Sequence, residues 1–318
     1  MSNTQKCMDI AAAHPEASRA ELIELFVDAG ISRATANTYS STVKKELLDT
    51  AEERARKAAR DNETDEEIED RLTERFDVIN MLAHASCLGQ IRSLIISGPA
   101  GLGKSYSVEQ ALAKYDPTGL KTVIAKGYVR PTGLYRLFHK YQHPGNVVVL
   151  DDADSIFNDI DALNILKAAC DTTKERKLSW YAETRMVDEE GEPIDREFVF
   201  NGTVIFITNK DFDGEISRGK AGAEHLEALV SRSHYVDCDM HSQRDYLVRI
   251  KQVAVKLGML RIQRKMDQVG EDTVVNFIEE NADNLRELTL RMALKLADVY
   301  QLNPTKFESL ARVSCFKH

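Results

Sequence analysis

Cysteine is scarce in this sequence and follows no pattern. The five residues Cys7, Cys87, Cys170, Cys238 and Cys315 are odd in number and never spaced as C-x-x-C. That argues against a thiolate zinc site or a disulfide framework and leads to the expectation of reduced thiols in a cytoplasm. No stretch approaches the roughly 20 apolar residues that cross a bilayer, so no membrane partner is expected. The first ten residues lack the basic-then-apolar pattern of a secretory leader. Excess positive charge is missing too, with 42 Lys and Arg against 51 Asp and Glu, a net charge of −9. A chain that grips nucleic acid by itself is usually basic, so any such contact must be local or built by several copies around a channel. Internal repeats and low-complexity tracts are also absent. What remains, 43% hydrophobic and 29% charged over 318 residues, is a globular composition with room for a core domain and small attachments.

Four regions separate by pattern. Residues 1–50 read as short helices. Ser18 with Glu21 forms a capping-box signature, Leu22, Ile23, Leu25 and Phe26 make an apolar stripe, Gly30 breaks it, and Ser32 caps a second helix through Tyr39 and Val43 to Leu48. This is the outline of a helix-turn-helix. Its second helix carries Arg33, Thr35, Asn37, Thr38, Ser40, Ser41 and Lys44, side chains suited to base edges and phosphates. Residues 51–75 are a charge run, read as a solvated helical linker, with Thr64 and Glu67 opening a further helix. Residues 76–238 hold the short apolar runs Ile91–Ser97, Lys121–Ala125, Val147–Leu150 and Val204–Thr208. Runs without alternation predict strands buried on both faces, in a parallel sheet covered by helices. Residues 239–318 read as a helical lid, with Leu285, Leu288, Met292, Leu296 and Val299 at helical spacing.

Two motifs carry chemistry. Gly98-Pro99-Ala100-Gly101-Leu102-Gly103-Lys104-Ser105 lies between a predicted strand and the helix opening at Tyr106, the setting a phosphate-binding loop requires. Its glycines let backbone N–H groups curl around phosphate oxygens at a helix N-terminus. Lys104 then reaches the β- and γ-phosphates of ATP, and Ser105 ligates Mg2+. Val147-Val148-Val149-Leu150-Asp151-Asp152 supplies Asp151 for the metal and Asp152 to orient water, at the strand end where ligands of α/β sheets collect.

With these motifs the chain resembles the AAA+ ATPases over roughly residues 76–310. The resemblance implies a P-loop NTPase αβα core with a parallel sheet and a C-terminal helical lid, and the cofactors ATP and Mg2+. It implies sensor 1 at Asn209, with Thr208 as the alternative, after the strand Thr203–Thr208. It also implies an arginine finger at Arg232, ahead of Arg218 and Lys220, that reaches the γ-phosphate of a neighbouring copy in a ring or helix, hexameric in most such assemblies. Asn284-Leu285-Arg286-Glu287-Leu288 resembles sensor 2, with Arg286 over the nucleotide. Asp151-Asp152 departs from the family's Asp-Glu and is similar to the pair in superfamily 3 initiator helicases. The compact plan with an N-terminal helical module is similar to AAA+ ATPases encoded by bacteriophages.

Between Lys174 and Phe200 two strand-like stretches flank the acidic turn Asp188-Glu189-Glu190-Gly191-Glu192-Pro193. This resembles a pre-sensor-1 hairpin, which in several AAA+ rings contacts the threaded polymer. Arg176, Lys177, Arg185 or Arg196 would then meet a DNA backbone, and Trp180 would stack on a base or pack on its own sheet. Two functions follow: a DNA-directed motor, loader or remodeller tethered by the N-terminal helices, or a protein remodeller whose N-terminal helices bind a protein partner. The five basic and seven acidic residues of the first fifty favour the second, and the helix-turn-helix and hairpin patterns favour the first.

Overall fold

The computed structural model describes residues 3–14, 17–40, 60, 62–182, 186–188, 190–219, 222–238 and 240–317. They fall into two units, Met1–Thr64 and Asp65–His318.

In the first unit, α1 (Asn3–Ala13) and α2 (Arg19–Asp28) are followed by α3 over 33–40. The Ser18 capping box forms: Glu21 N–H donates to Ser18 Oγ at 3.3 Å, and Ser18 N–H donates to Glu21 Oε2 at 2.7 Å. Thr35 N–H donates to Ser32 Oγ at the start of α3, and Gly30 makes the intervening turn at φ +87°. Cys7, Ala11, Leu22, Phe26, Ile31 and Ala36 form a small core. Asn37 and Thr38 are exposed, whereas Ser40 is buried with its hydroxyl on Asn37 O. Ser40 therefore cannot present itself to a base edge, contrary to expectation. Ser41, Lys44, Val43, Leu48 and the charge run 51–59 lie outside the described residues.

In the second unit the expected core is present as a five-stranded parallel sheet in the order β2-β3-β6-β1-β7. The strands are β1 (Ser93–Ser97), β2 (Thr122–Lys126), β3 (Val147–Asp151), β6 (Thr203–Ile207) and β7 (His234–Asp237). A hairpin of β4 (Lys177–Ser179) and β5 (Glu197–Val199) stands apart from it. Successive side chains of a strand point to opposite faces, and here both faces are covered. Ile95, Val148, Leu150, Val204 and Phe206 join one core with α6 (Pro131–Lys140), α7 (Ile160–Ala169), α8 (Phe212–Ser217) and α9 (Ala223–Val230). Leu94, Ile96, Val147, Val149, Ile205 and Ile207 join another with α4 (Asp65–Cys87) and α5 (Lys104–Tyr115). The absence of polar alternation in the three central strands follows from this double burial.

Helix α4 moves a boundary. The charge pattern assigns its acidic first turns to a linker, yet Ile68 and Leu72 are buried in the sheet's core, so 65–75 belong to the core unit. The lid follows as α10 (Gln243–Lys251), a π turn at Gln252–Lys256, α11 (Met259–Arg264), α12 (Gln268–Glu280), α13 (Leu290–Leu302) and α14 (Phe307–Cys315) around its own core. Asp245 near the start of α10 ties this lid to α4 through Arg71, at 3.2 Å. No helix among the described residues is long and apolar enough to cross a membrane.

Candidate active site

The loop from β1 into α5 depends on glycine at two close approaches. Gly98 sits at φ +135°, and a Cβ there would lie 2.9 Å from the Cys238 carbonyl carbon. Gly101 sits at φ +75°, and a Cβ there would lie 2.6 Å from Thr289 Cβ. The lid rests directly on this loop, because Leu290 N–H at the start of α13 donates to Gly101 O at 2.9 Å. Lys104, 5% exposed, donates from Nζ to Gly98 O (2.6 Å), Pro99 O (2.7 Å) and Asn209 Oδ1 (3.1 Å). Burial lowers its pKa, and the negative charges of Asp152 and Asp151 oppose that shift.

The acids arrive from the neighbouring strand ends. Asp151 closes β3 and is buried, its Oδ1 accepting from Ser105 Oγ at 2.9 Å and its Oδ2 lying 3.1 Å from Lys126 Nζ. Asp152 turns out of the sheet at φ +52°, a conformation rare for a residue with a side chain. Its N–H donates to Ile207 O, and its Oδ1 accepts from Asn209 Nδ2 at 2.8 Å. The β3–β6 register, Asp151 opposite Ile207, delivers this pairing. Asn209 thus bridges Lys104 and Asp152, while the alternative, Thr208, points away and donates to Asp154 Oδ1 at 2.6 Å. Burial raises the Asp154 pKa, and the Thr208 bond works against that.

Ser105 Oγ and Asp151 are hard oxygen donors beside the loop, a set that fits Mg2+ sharing the rest of its shell with water and phosphate. Among the described residues no group of three or more His, Cys, Asp or Glu forms a cage for a metal.

A cleft of about 640 Å³ opens beside the loop. The loop and strand-end residues Ala100, Gly101, Gly103, Lys104, Ser105, Tyr106, Asp152 and Asn209 line it, together with Phe76, Val253, Leu257, Met259, Ile262 and Leu294 and polar neighbours such as Asn80, Gln252 and Lys256. Leu102 instead anchors the loop in the core. Two further arginines line the cleft outside the sequence motifs. The Arg249 guanidinium is stacked 3.5 Å from the Phe76 ring centroid and donates to Gln252 Oε1 at 2.7 Å, and burial lowers its pKa to about 10. Arg291 lines the mouth, close enough for its charge to depress the Lys104 pKa further.

Arg286 does not join the site. Its Nε donates to Phe316 O at 2.8 Å and its N–H to Cys315 O, so it fastens the C-terminal segment to the lid. Helix α13 begins at Leu290, after the N-cap Thr289, and this later start hands the position over the loop to Arg291. A cap threonine followed by an arginine in the first turn was the available signal. Arg232 also lies away from its own cleft. It precedes β7, whose parallel register with β1 (Leu94 opposite His234, Ser97 opposite Asp237) puts it at the sheet end remote from Gly98. There it donates to Ala228 O at 2.6 Å and lies 3.5 Å from Asp171. Arg218 caps α8 through Gly214 O, and Lys220 lies outside the described residues.

The hairpin continues past its strands, with Trp180 N–H on Arg196 O and a bridge between Val187 and Pro193. Arg176 is buried, donating to Ala169 O and Gly202 O at 2.7 and 2.8 Å. It holds the hairpin base and is not available to a polymer. Lys177 pairs with Glu197, Arg196 is exposed, and Arg185 lies outside the described residues. Trp180 packs on Tyr135 of α6, ring centroids 5.9 Å apart, rather than on its own sheet.

No profile of a known protein family matches the chain. Among solved structures it is distantly similar to a RuvB mutant of Thermotoga maritima, with a TM-score of 0.43 and 12% identity over 77% of this chain and 69% of that one. A similar likeness is to Brucella abortus NtrX in complex with ATP, with a TM-score of 0.43 and 13% identity over 99% and 72%. In sequence it is 38% identical over 250 residues to an uncharacterized 36.7 kDa protein from the nrdC–mobD intergenic region of Enterobacteria phage T4, covering 78% of this chain and 76% of that one. The chain belongs to the family of this phage T4 protein.

Proposed function

We propose that the chain is a Mg2+-dependent ATPase of the AAA+ type, hydrolysing ATP to ADP and phosphate and working as a ring or helix of like copies, six in the simplest case. The observation that carries this reading is the convergence of Lys104, Ser105, Asp151, Asp152 and Asn209 on one end of a parallel sheet, beside a cleft that also takes in apolar side chains such as Phe76, Val253 and Leu294.

Loop N–H groups and Lys104 bind and orient the phosphates, and Lys104 exchanges its loop carbonyls for phosphate oxygens. Ser105 and Asp151 hold Mg2+, which when bound neutralises charge building on the phosphoryl oxygens. Asp152, held by Asn209 Nδ2, orients the attacking water. Arg291 draws the lid over the phosphates, and apolar side chains of α4, α11 and the π turn exclude water from the base. Arg232, remote from its own loop, serves the site of the next copy, where an arginine stabilises the transferring group.

For the substrate, the reading is DNA, contacted by the exposed Asn37 and Thr38 of α3 and by Arg196 of the hairpin. A protein substrate is the second reading, favoured by the loss of Arg176 to the core and by the 75% exposed Tyr181 of the hairpin. ATPase rates with and without DNA, at low and moderate salt, test the choice in the full chain and in the chain from Asp61 onward. Stimulation that is lost on truncation supports DNA. Unstimulated hydrolysis at every salt overturns it in favour of protein.

A further inference from the structure

Lys126 ends β2 directly opposite Asp151 on β3. Its ammonium lies 3.1 Å from Asp151 Oδ2 and 2.8 Å from Glu109 Oε1, so one lysine bridges two acids. The other Asp151 oxygen is taken by Ser105 Oγ. Glu109 lies four residues after Ser105 on α5, which puts both on one face of that helix. The three side chains differ in freedom. Asp151 is 5% exposed, whereas Lys126 and Glu109 are 56% and 40% exposed. A buried carboxylate needs a counter-charge, and in this arrangement Lys126 supplies it.

We propose that Lys126 is a resident counter-cation at the Asp151 carboxylate that Mg2+ displaces, with Glu109 as the acceptor that receives the lysine when the metal enters. This rests on the nucleotide-binding reading above and adds the residues that set metal affinity. An ammonium and a divalent ion on one carboxylate repel each other, and the exposed, flexible lysine is the partner that moves at little cost. Glu109 makes the move possible without leaving the charge alone. Lys126 therefore weakens Mg2+ binding, Glu109 strengthens it, and the two effects have opposite signs. Without metal the sign reverses for nucleotide, because Lys126 then screens Asp151 from the phosphates.

The test uses the full chain and a fluorescent, non-hydrolysable ATP analogue, with its dissociation constant measured across free Mg2+ concentrations and in excess chelator. Lys126→Met is expected to lower the half-saturating Mg2+ by roughly three- to tenfold, the effect of removing one unit charge about 6 Å from a divalent ion in a water-like medium. It is also expected to weaken binding of the analogue in chelator. Glu109→Gln is expected to raise the half-saturating Mg2+, and Lys126→Arg to behave as the unaltered chain. Mg2+-dependent binding with a midpoint unmoved by Lys126→Met, or shifted the same way by both variants, overturns this inference alone. An unaltered chain that binds the analogue with no Mg2+ dependence overturns the inference and the nucleotide-site reading together.

Discussion

Exchanging the roles expected of two lid arginines gives a sharp prediction. Arg291 lines the cleft and its charge bears on Lys104, whereas Arg286 spends its Nε on the Phe316 carbonyl 2.8 Å away. A hydrogen bond from a cation to a phosphate is worth about 1.5–3 kcal/mol, so Arg291→Ala should weaken ATP binding by roughly 10- to 150-fold. ADP should be affected less if the contact is to the γ-phosphate, and the thermal midpoint of the unliganded chain should hardly move. Arg286→Ala removes one exposed bond to a neutral carbonyl, about 0.5–1.5 kcal/mol of lid stability, with little effect on nucleotide. Fluorescent-nucleotide titration and thermal unfolding of both variants, each without and with ATP or ADP, separate the two. An Arg286→Ala variant that loses ATP discrimination while Arg291→Ala keeps it would refute the assignment.

Two further outcomes follow from the same geometry. Gly101→Ala combines a positive φ with a Cβ 2.6 Å from Thr289 Cβ, so it should push the lid off the loop, destabilise the chain by about 1–3 kcal/mol and weaken nucleotide binding, measured by denaturant unfolding and titration. Burial works to raise the Asp245 pKa, but bonds from Ser242, the His241 N–H and Arg71 hold it below the ordinary carboxylate value. A depressed folded-state pKa gives stability that is present above about pH 4, the unfolded value, and lost as pH falls through the folded one. Unfolding free energies between neutral and acidic pH should therefore fall less steeply in Asp245→Asn than in the unaltered chain.

The fold was legible because double burial removes polar alternation. Val147–Leu150 and Val204–Ile207 could hardly be anything but central strands, and the glycine spacing of 98–103 has few other uses. Asp151 and Asp152 follow from their place at a strand end, and Asn209 from the resemblance to sensor 1. The lid was less legible, since Arg286 and Arg291 both sit in amphipathic sequence and only the helix start at Leu290 decides which faces the loop. Arg176 is expected at a DNA backbone and Arg249 matches no motif, yet backbone carbonyls hold the first and the Phe76 ring the second in buried positions. Lys126 lies just past the predicted strand Lys121–Ala125, and its pairing with Asp151 emerges only when β2 lies beside β3.

The central claim, a phosphate loop completed by the next copy, is tested most directly by mixing two inactive variants. Lys104→Ala lacks a working loop but carries Arg232, and Arg232→Ala lacks the arginine but carries an intact loop. Each alone should hydrolyse ATP negligibly, and Arg232→Ala should still bind it. Mixed, they should recover a rate well above the sum of the two, because some interfaces pair an intact loop with an intact Arg232. A mixture no more active than its parts, or an Arg232→Ala variant with full activity alone, would contradict the account.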